Sequence, residues 1–261
     1  MENSALVQVD QISKTYGTNN DAAQVLRDIS FSIKRSEIIS ILGESGCGKS
    51  TLLNIIGGFE QPSEGKVILN GQVVDKPSRN CVMLFQNYGL LPWRSVYKNV
   101  ELGLESLNLS AKERRERAEK YLKLVGLENT GNQLPHQLSG GMQQRVAIAR
   151  ALVTEPEMIL MDEPFAALDT FNRYYLQDEL IKIQRESKTT IVLVTHDIDE
   201  AVFLSDRIFI MGKNPGEIHH TVHLDISKPR DRSSGDFHYY RKLIFEKFEL
   251  SRTKNEIEYY I

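Results

Sequence analysis

Hydrophobic and polar positions alternate over Leu6–Asp10 and again over Leu26–Ile33. That is the period of half-buried strands, and polar Gly17–Asp21 between them reads as a loop. Ile38–Leu42 is a short apolar run that stops at a glycine-rich turn, after which Lys49–Ile56 reads as a helix. Val67–Leu69 and Cys81–Phe85 are further strand candidates. From about 87 to 153 the pattern turns helical. Ser110 and Glu113 form a capping box, Ala118, Tyr121, Leu122 and Val125 share one face, and Gly126 closes that helix. Met158–Met161 and Ile191–Val194 are uninterrupted apolar runs, as buried parallel strands are, with Phe171–Ile183 as the crossover helix between them. Ile208–Met211 and Ile218–Leu224 read as late strands, and Phe237–Phe248 as a helix in a charged, aromatic-rich tail. The pattern predicts one composite α/β domain over residues 1–261. Its core covers about 1–86 and 154–227, a helical lobe is inserted at about 87–153, and a tail runs over about 228–261.

Composition narrows the class. Among 261 residues, 32 Lys+Arg stand against 35 Asp+Glu, a net charge of -3, which argues against a nucleic-acid-binding surface. No apolar run approaches the roughly 18 to 20 residues of a membrane helix. Met1–Ser4 lacks the basic and apolar regions of a signal peptide. Cys47 and Cys81 have neither metal-ligand spacing nor a disulfide pattern, and Cys47 reads as a small filler. A protein of this kind that works at a membrane does so as a peripheral subunit.

Three segments carry chemistry. Gly43-Glu44-Ser45-Gly46-Cys47-Gly48-Lys49-Ser50-Thr51, between a strand and a helix, matches the phosphate-loop pattern. Its backbone N–H groups are expected to wrap phosphates, Lys49 to reach the β- and γ-phosphates, and Ser50 to sit on Mg²⁺. Met158–Pro164 is a buried strand that carries two acids, Asp162 and Glu163, to its C-terminal edge, where ligands of such sheets bind. Leu138–Arg145 is a second glycine-rich segment. Ser139 supplies a hydroxyl, Gly140 and Gly141 let N–H groups approach phosphate, and Met142–Leu152 reads as a helix facing it.

Taken along the chain as 43–51, 138–145 and 158–164, the three segments resemble those of the ATP-binding cassette (ABC) ATPases. The resemblance implies a P-loop NTPase (RecA-like) core, an N-terminal antiparallel β subdomain and an inserted helical signature subdomain, with ATP and Mg²⁺ bound. It implies that Asp162 holds Mg²⁺ through water and that Glu163 polarises the attacking water as general base. His196, in Val194-Thr195-His196-Asp197, resembles the switch histidine that contacts the γ-phosphate. Gln86 resembles the glutamine that touches Mg²⁺ and water, Asp169 belongs to a segment like the D-loop, and Tyr16 resembles the aromatic that stacks on adenine. Ala166 stands where many relatives have Ser or Gly.

Each motif occurs once, so one chain supplies a phosphate loop for its own ATP and a signature for another's. The resemblance therefore implies a two-fold, head-to-tail dimer of two copies. Ser139, Gly140, Gly141, Met142 and Gln143 then serve the ATP held by the second copy. Gln86–Arg94 is apolar and aromatic where a surface is expected, and in the family this region docks a membrane permease. Leu90-Leu91-Pro92-Trp93 resembles the nitrate/sulfonate/taurine branch of importers, as do Asn214-Pro215-Gly216-Glu217-Ile218, Pro229-Arg230-Asp231-Arg232 and Met142. The implied setting is the cytoplasmic face of the cell membrane, with an extracytoplasmic solute-binding protein as an indirect partner and a small, anionic solute as cargo. A soluble ABC ATPase, a non-catalytic nucleotide-gated module and an exporter subunit are the competing readings.

Overall fold

A computed structural model of the chain describes residues 5–17, 21–84, 88–166 and 168–258, with side chains to residue 250. It divides into two compact units, 1–78 with 190–261 and 79–189. The first unit opens with β1 (Ala5–Tyr16) and β2 (Ala23–Lys34), then β3 (Ile38–Gly43) and α1 (Lys49–Ile56), then β4 (Glu64–Leu69) and β5 (Gln72–Val73). The second unit holds β6 (Cys81–Leu84), α2 (Val96–Glu101), α3 (Ala111–Leu124), α4 (Gly140–Leu152), β7 (Met158–Asp162) and α5 (Thr170–Ser187). The chain returns to the first unit with β8 (Thr190–Thr195), α6 (Ile198–Leu204), β9 (Arg207–Met211), β10 (Ile218–His223) and α7 (Gly235–Glu258).

Within the first unit, β2-β1-β4-β5 is an antiparallel sheet. The strands β9, β3 and β8 are parallel, and β10 runs antiparallel against β9. All residues of β3 and β8 are buried, which explains their unbroken apolar sequence. Burying each of Ile39, Ile41, Val192 and Val194 contributes about 1.5–3 kcal/mol. In β1 the inward positions run Val7, Val9 and then Ile12, a spacing that breaks the period of two. Gln11 (φ 50°) takes up the extra residue at a register shift, and its N–H donates to Ser30 Oγ at 2.9 Å. Asp28 (φ 42°) does the same in β2 between buried Leu26 and Ile29.

Within the second unit, β6 and β7 are parallel, with Cys81 opposite Met158. Here α2, α3 and α4 pack on one another, and α4 packs on β6. The capping box is present: Glu113 N–H donates to Ser110 Oγ (3.2 Å) and Ser110 N–H to Glu113 Oε2 (2.8 Å). The unit extends beyond the 87–153 lobe and carries β6, β7 and α5 as well.

Candidate nucleotide site

The phosphate loop follows the buried end of β3 and folds back so closely that Gly43 has no room for a side chain: a Cβ there would lie 2.6 Å from Cys47 Sγ. Gly48 is the N-cap of α1 at φ 95°, a conformation that needs glycine. Lys49 is buried, and its ammonium donates to the carbonyls of Gly43 (2.8 Å) and Glu44 (2.7 Å), so it lies curled over the loop. Cys47 is buried as a filler, and burial pushes its thiol pKa up. A Cβ on Gly46 would meet nothing within 4 Å, so the loop leaves open space over its backbone, as a polyphosphate cradle requires. Ser50 is exposed at the start of α1.

Tyr16 ends β1 and is 41% exposed. Its hydroxyl neighbours Glu60 and Thr51, the latter at the end of the phosphate-loop motif. Burial, then the Glu60 carboxylate, push the phenol pKa up, while the Thr51 hydroxyl acts the other way. Lys14 Nζ lies 5.0 Å from the ring centroid. His196 is exposed on the turn after β8. That turn is fixed by Asp197 N–H donating to buried Thr195 Oγ1 (3.0 Å) and by Asp197 capping α6 through Glu200 N–H (3.1 Å). A cavity of about 560 Å³ opens beside His196, walled by Asp199, His238, Arg241 and Phe245.

The other candidates lie in the second unit. Asp162 and Glu163 are half-buried at the end of β7. Glu163 has φ 45°, a region a non-glycine residue rarely adopts. Its carbonyl accepts from Ala166 N–H (3.2 Å), and Phe165 two residues on is fully buried, which anchors the turn. Ser139 and Gly140 are exposed at the start of α4, where Met142 N–H donates to Ser139 Oγ (3.3 Å). The Gln143 amide donates to the Pro135 and Leu138 carbonyls, so it braces the approach to the signature. Asp169 caps α5: Asn172 N–H donates to Oδ1 (3.1 Å) and Asn172 Nδ2 to Oδ2 (2.6 Å). Hydrogen bonds from Asn172 hold its carboxyl pKa below the usual range. Gln86 and Ala167 lie outside the described residues. No three-residue cluster of His, Cys, Asp and Glu able to hold a metal occurs among the described residues.

Some contributors were not evident from sequence. Gln144 is buried on α4, and its Nε2 donates to the Pro164 carbonyl at 2.7 Å, tying the signature helix to the turn after Glu163. The signal for it is a polar residue in the stripe Gln144, Ala147, Ile148 and Ala151. Replacing Gln144 with Leu leaves that carbonyl without its donor, a loss of about 1–3 kcal/mol. We expect steady-state phosphate release to show kcat reduced about tenfold with KM near parental. An unchanged kcat removes Gln144 from the site. Asn99 and Arg150 brace the predicted docking segment. Fully buried Asn99 accepts from Leu91 N–H (2.8 Å) and donates to the Leu91, Arg94 and Ser95 carbonyls. Arg150, whose pKa burial lowers, donates to the Tyr88 (2.7 Å) and Gly89 (2.6 Å) carbonyls. Between these anchors Leu90 and Leu91 are half-buried, Pro92 is exposed, and Trp93 is 73% exposed.

Comparison with known proteins agrees with this geometry. The chain belongs to the ABC transporter family, which its residues 26–166 match. It is 40% identical over 93% of its length to the aliphatic sulfonates import ATP-binding protein SsuB of Bacillus thuringiensis subsp. konkukian, covering 96% of that protein. It is 42% identical over 89% of its length to the nitrate import ATP-binding protein NrtD of Synechococcus elongatus, covering 86% of that protein. A dimeric ATP-binding cassette solved in a post-hydrolysis state with ADP and Pi superposes with a TM-score of 0.73 at 37% identity. That match covers 85% of this chain and all (100%) of the solved one. The fold is therefore the P-loop α/β fold of an ATP-hydrolysing cassette, a motor subunit of the ABC type.

Proposed function

We infer that this chain is the motor of an importer for a small, anionic solute of the nitrate or sulfonate kind, working at the cytoplasmic face of a membrane. The observation that carries the reading is the exposed Pro92–Trp93 edge, hydrogen-bonded on either side by Asn99 and Arg150 on the segment that follows Gln86. An exposed Trp on a braced loop suits a partner surface better than solvent. The import proteins of sulfonate and nitrate systems among its relatives support the same direction.

In this reading Tyr16 stacks on adenine, and residues 43–51 wrap the phosphates with Lys49 neutralising them. Ser139, Gly140, Gly141, Met142 and Gln143 close on the nucleotide of a second copy, and Asp169 runs between copies. Glu163 takes a proton from water, and His196 and Gln86 orient that water. Ser50, Asp162 and Gln86 are hard oxygen donors of the type Mg²⁺ accepts, and a bound Mg²⁺ neutralises phosphate charge. Closure of the two copies is relayed through 86–94 to the permease as a shift between two states.

Co-expression with a candidate membrane permease of the nitrate or sulfonate importer kind from the same genome tests this. The parent chain should co-purify with that permease, and Trp93→Asp should lower recovery by about tenfold or more, the loss of one central aromatic anchor. Recovery indifferent to Trp93→Asp, or no co-purification by the parent, overturns the coupling.

A further inference from the structure

The Asn214–Ile218 segment, which resembles one importer branch, has a physical role in the first unit. Gly216 N–H donates to the Val25 carbonyl (2.8 Å), and Arg27 N–H donates to the Gly216 carbonyl (3.0 Å). The turn between β9 and β10 is thereby bridged to β2, at Leu26 opposite Gly216. A Cβ on Gly216 would collide with the Cys47 carbonyl oxygen, inside the phosphate loop. Leu26 lies under the same loop, since a Cβ on Gly48 would stand 2.6 Å from its Cδ2. Lys213, at the head of the turn, bonds Glu44 Oε2 at 2.6 Å. The end of β9 and its turn therefore press on the phosphate loop at Gly43, Glu44 and Cys47.

Glu44 is an acid inside an anion-binding loop. Its carboxylate repels a polyphosphate and competes for the N–H groups that the phosphates need. Pairing with Lys213 draws the carboxylate toward the turn and offsets its charge. We propose that Lys213 is a positioning residue for nucleotide binding: it holds Glu44 aside so that the loop accepts a nucleoside triphosphate. The Gly216 backbone packs against the Cys47 carbonyl from the same turn. The proposal rests on the phosphate loop binding ATP.

The pair is partly exposed, 43% for Lys213 and 23% for Glu44, so salt screens it and the effect is moderate. The test titrates the purified full chain with mant-ATP, for the parent, Lys213→Met, and Lys213→Met combined with Glu44→Gln. Lys213→Met should raise Kd about three- to tenfold at low ionic strength. The increase should shrink in high salt and appear in KM for ATP rather than in kcat. Adding Glu44→Gln should return Kd to within about twofold of the parent, a rescue that a merely structural role for Lys213 does not give. A parental Kd for Lys213→Met, or no rescue by Glu44→Gln, overturns the proposal. A parent chain that binds no mant-ATP overturns the nucleotide reading itself, and this proposal with it.

Discussion

Glu163→Gln should cut ATP turnover by about 100-fold or more while leaving nucleotide bound, since a positioned general base contributes roughly 10²–10⁴ in rate. The side chain keeps its size and hydrogen-bonding reach but loses the proton acceptor. The backbone at Glu163 is already committed: φ is 45°, its carbonyl takes the Ala166 N–H, and buried Phe165 prevents the turn from relaxing. Such a conformation costs a folded chain about 1–3 kcal/mol, and strain of this kind clusters where a side chain is aimed at a site. The amide therefore occupies the carboxylate's place, and only the chemistry is removed. Phosphate release in the steady state reads the loss. Gel filtration with ATP and Mg²⁺ reads the trapped state, in which the variant should elute as a dimer that retains ATP. Turnover within tenfold of the parent, or a monomer at high concentration, counts against Glu163 as the base.

The parts of this molecule that were legible in the sequence are those where one local rule acts alone. β3 and β8 read correctly because strands buried on both faces need no alternation, and the Ser110–Glu113 capping box is a local hydrogen-bond pair. In β1 the alternation predicts a strand only to Asp10, because the bulge at Gln11 moves Ile12 to the inner face and cancels the period. The short helix α6 carries no sequence signal, since Ile198–Leu204 spans under two turns and shows no periodicity. The phosphate loop matches a pattern of residue type and spacing, and resemblance singles out the acids at the end of β7 and the segment 138–145. Their braces are not legible in either way. Gln144, Arg150 and Lys213 act on carbonyls or a carboxylate 20, 61–62 and 169 residues away, and no local pattern links residues at such separations. Asp169 belongs by resemblance to a D-loop segment, and the fold also uses it to cap α5 through the backbone and side chain of Asn172.

Arg230→Ala should lower stability by about 3–5 kcal/mol, since it strands several buried carbonyls at about 1–3 kcal/mol each. Arg230 is only 6% exposed, and burial pulls its pKa down to about 10. Its guanidinium donates to the carbonyls of Val202 (2.5 Å), Phe203 (3.3 Å) and Ser205 (2.6 Å), and through Nε and Nη2 to Ile226. The first three lie at the C-terminus of α6, where a cation also meets the negative end of the helix dipole. Truncation leaves those carbonyls buried without donors, so the cost exceeds the lost attraction. Lysine is no substitute, because a single ammonium cannot span four carbonyls from one fixed fork. A thermal melt reads the change directly, with an expected fall in Tm of about 6–15 °C at this chain length. Arg230→Lys should recover less than half of it, and an unchanged Tm for Arg230→Ala ends the argument. The same contact bears on the site. Asp197 caps one end of α6 and Arg230 the other, and His196 stands immediately before that cap. The Pro229–Arg232 segment thus belongs to the frame that holds His196, and Arg230→Ala should also reduce ATP turnover measured well below its lowered Tm.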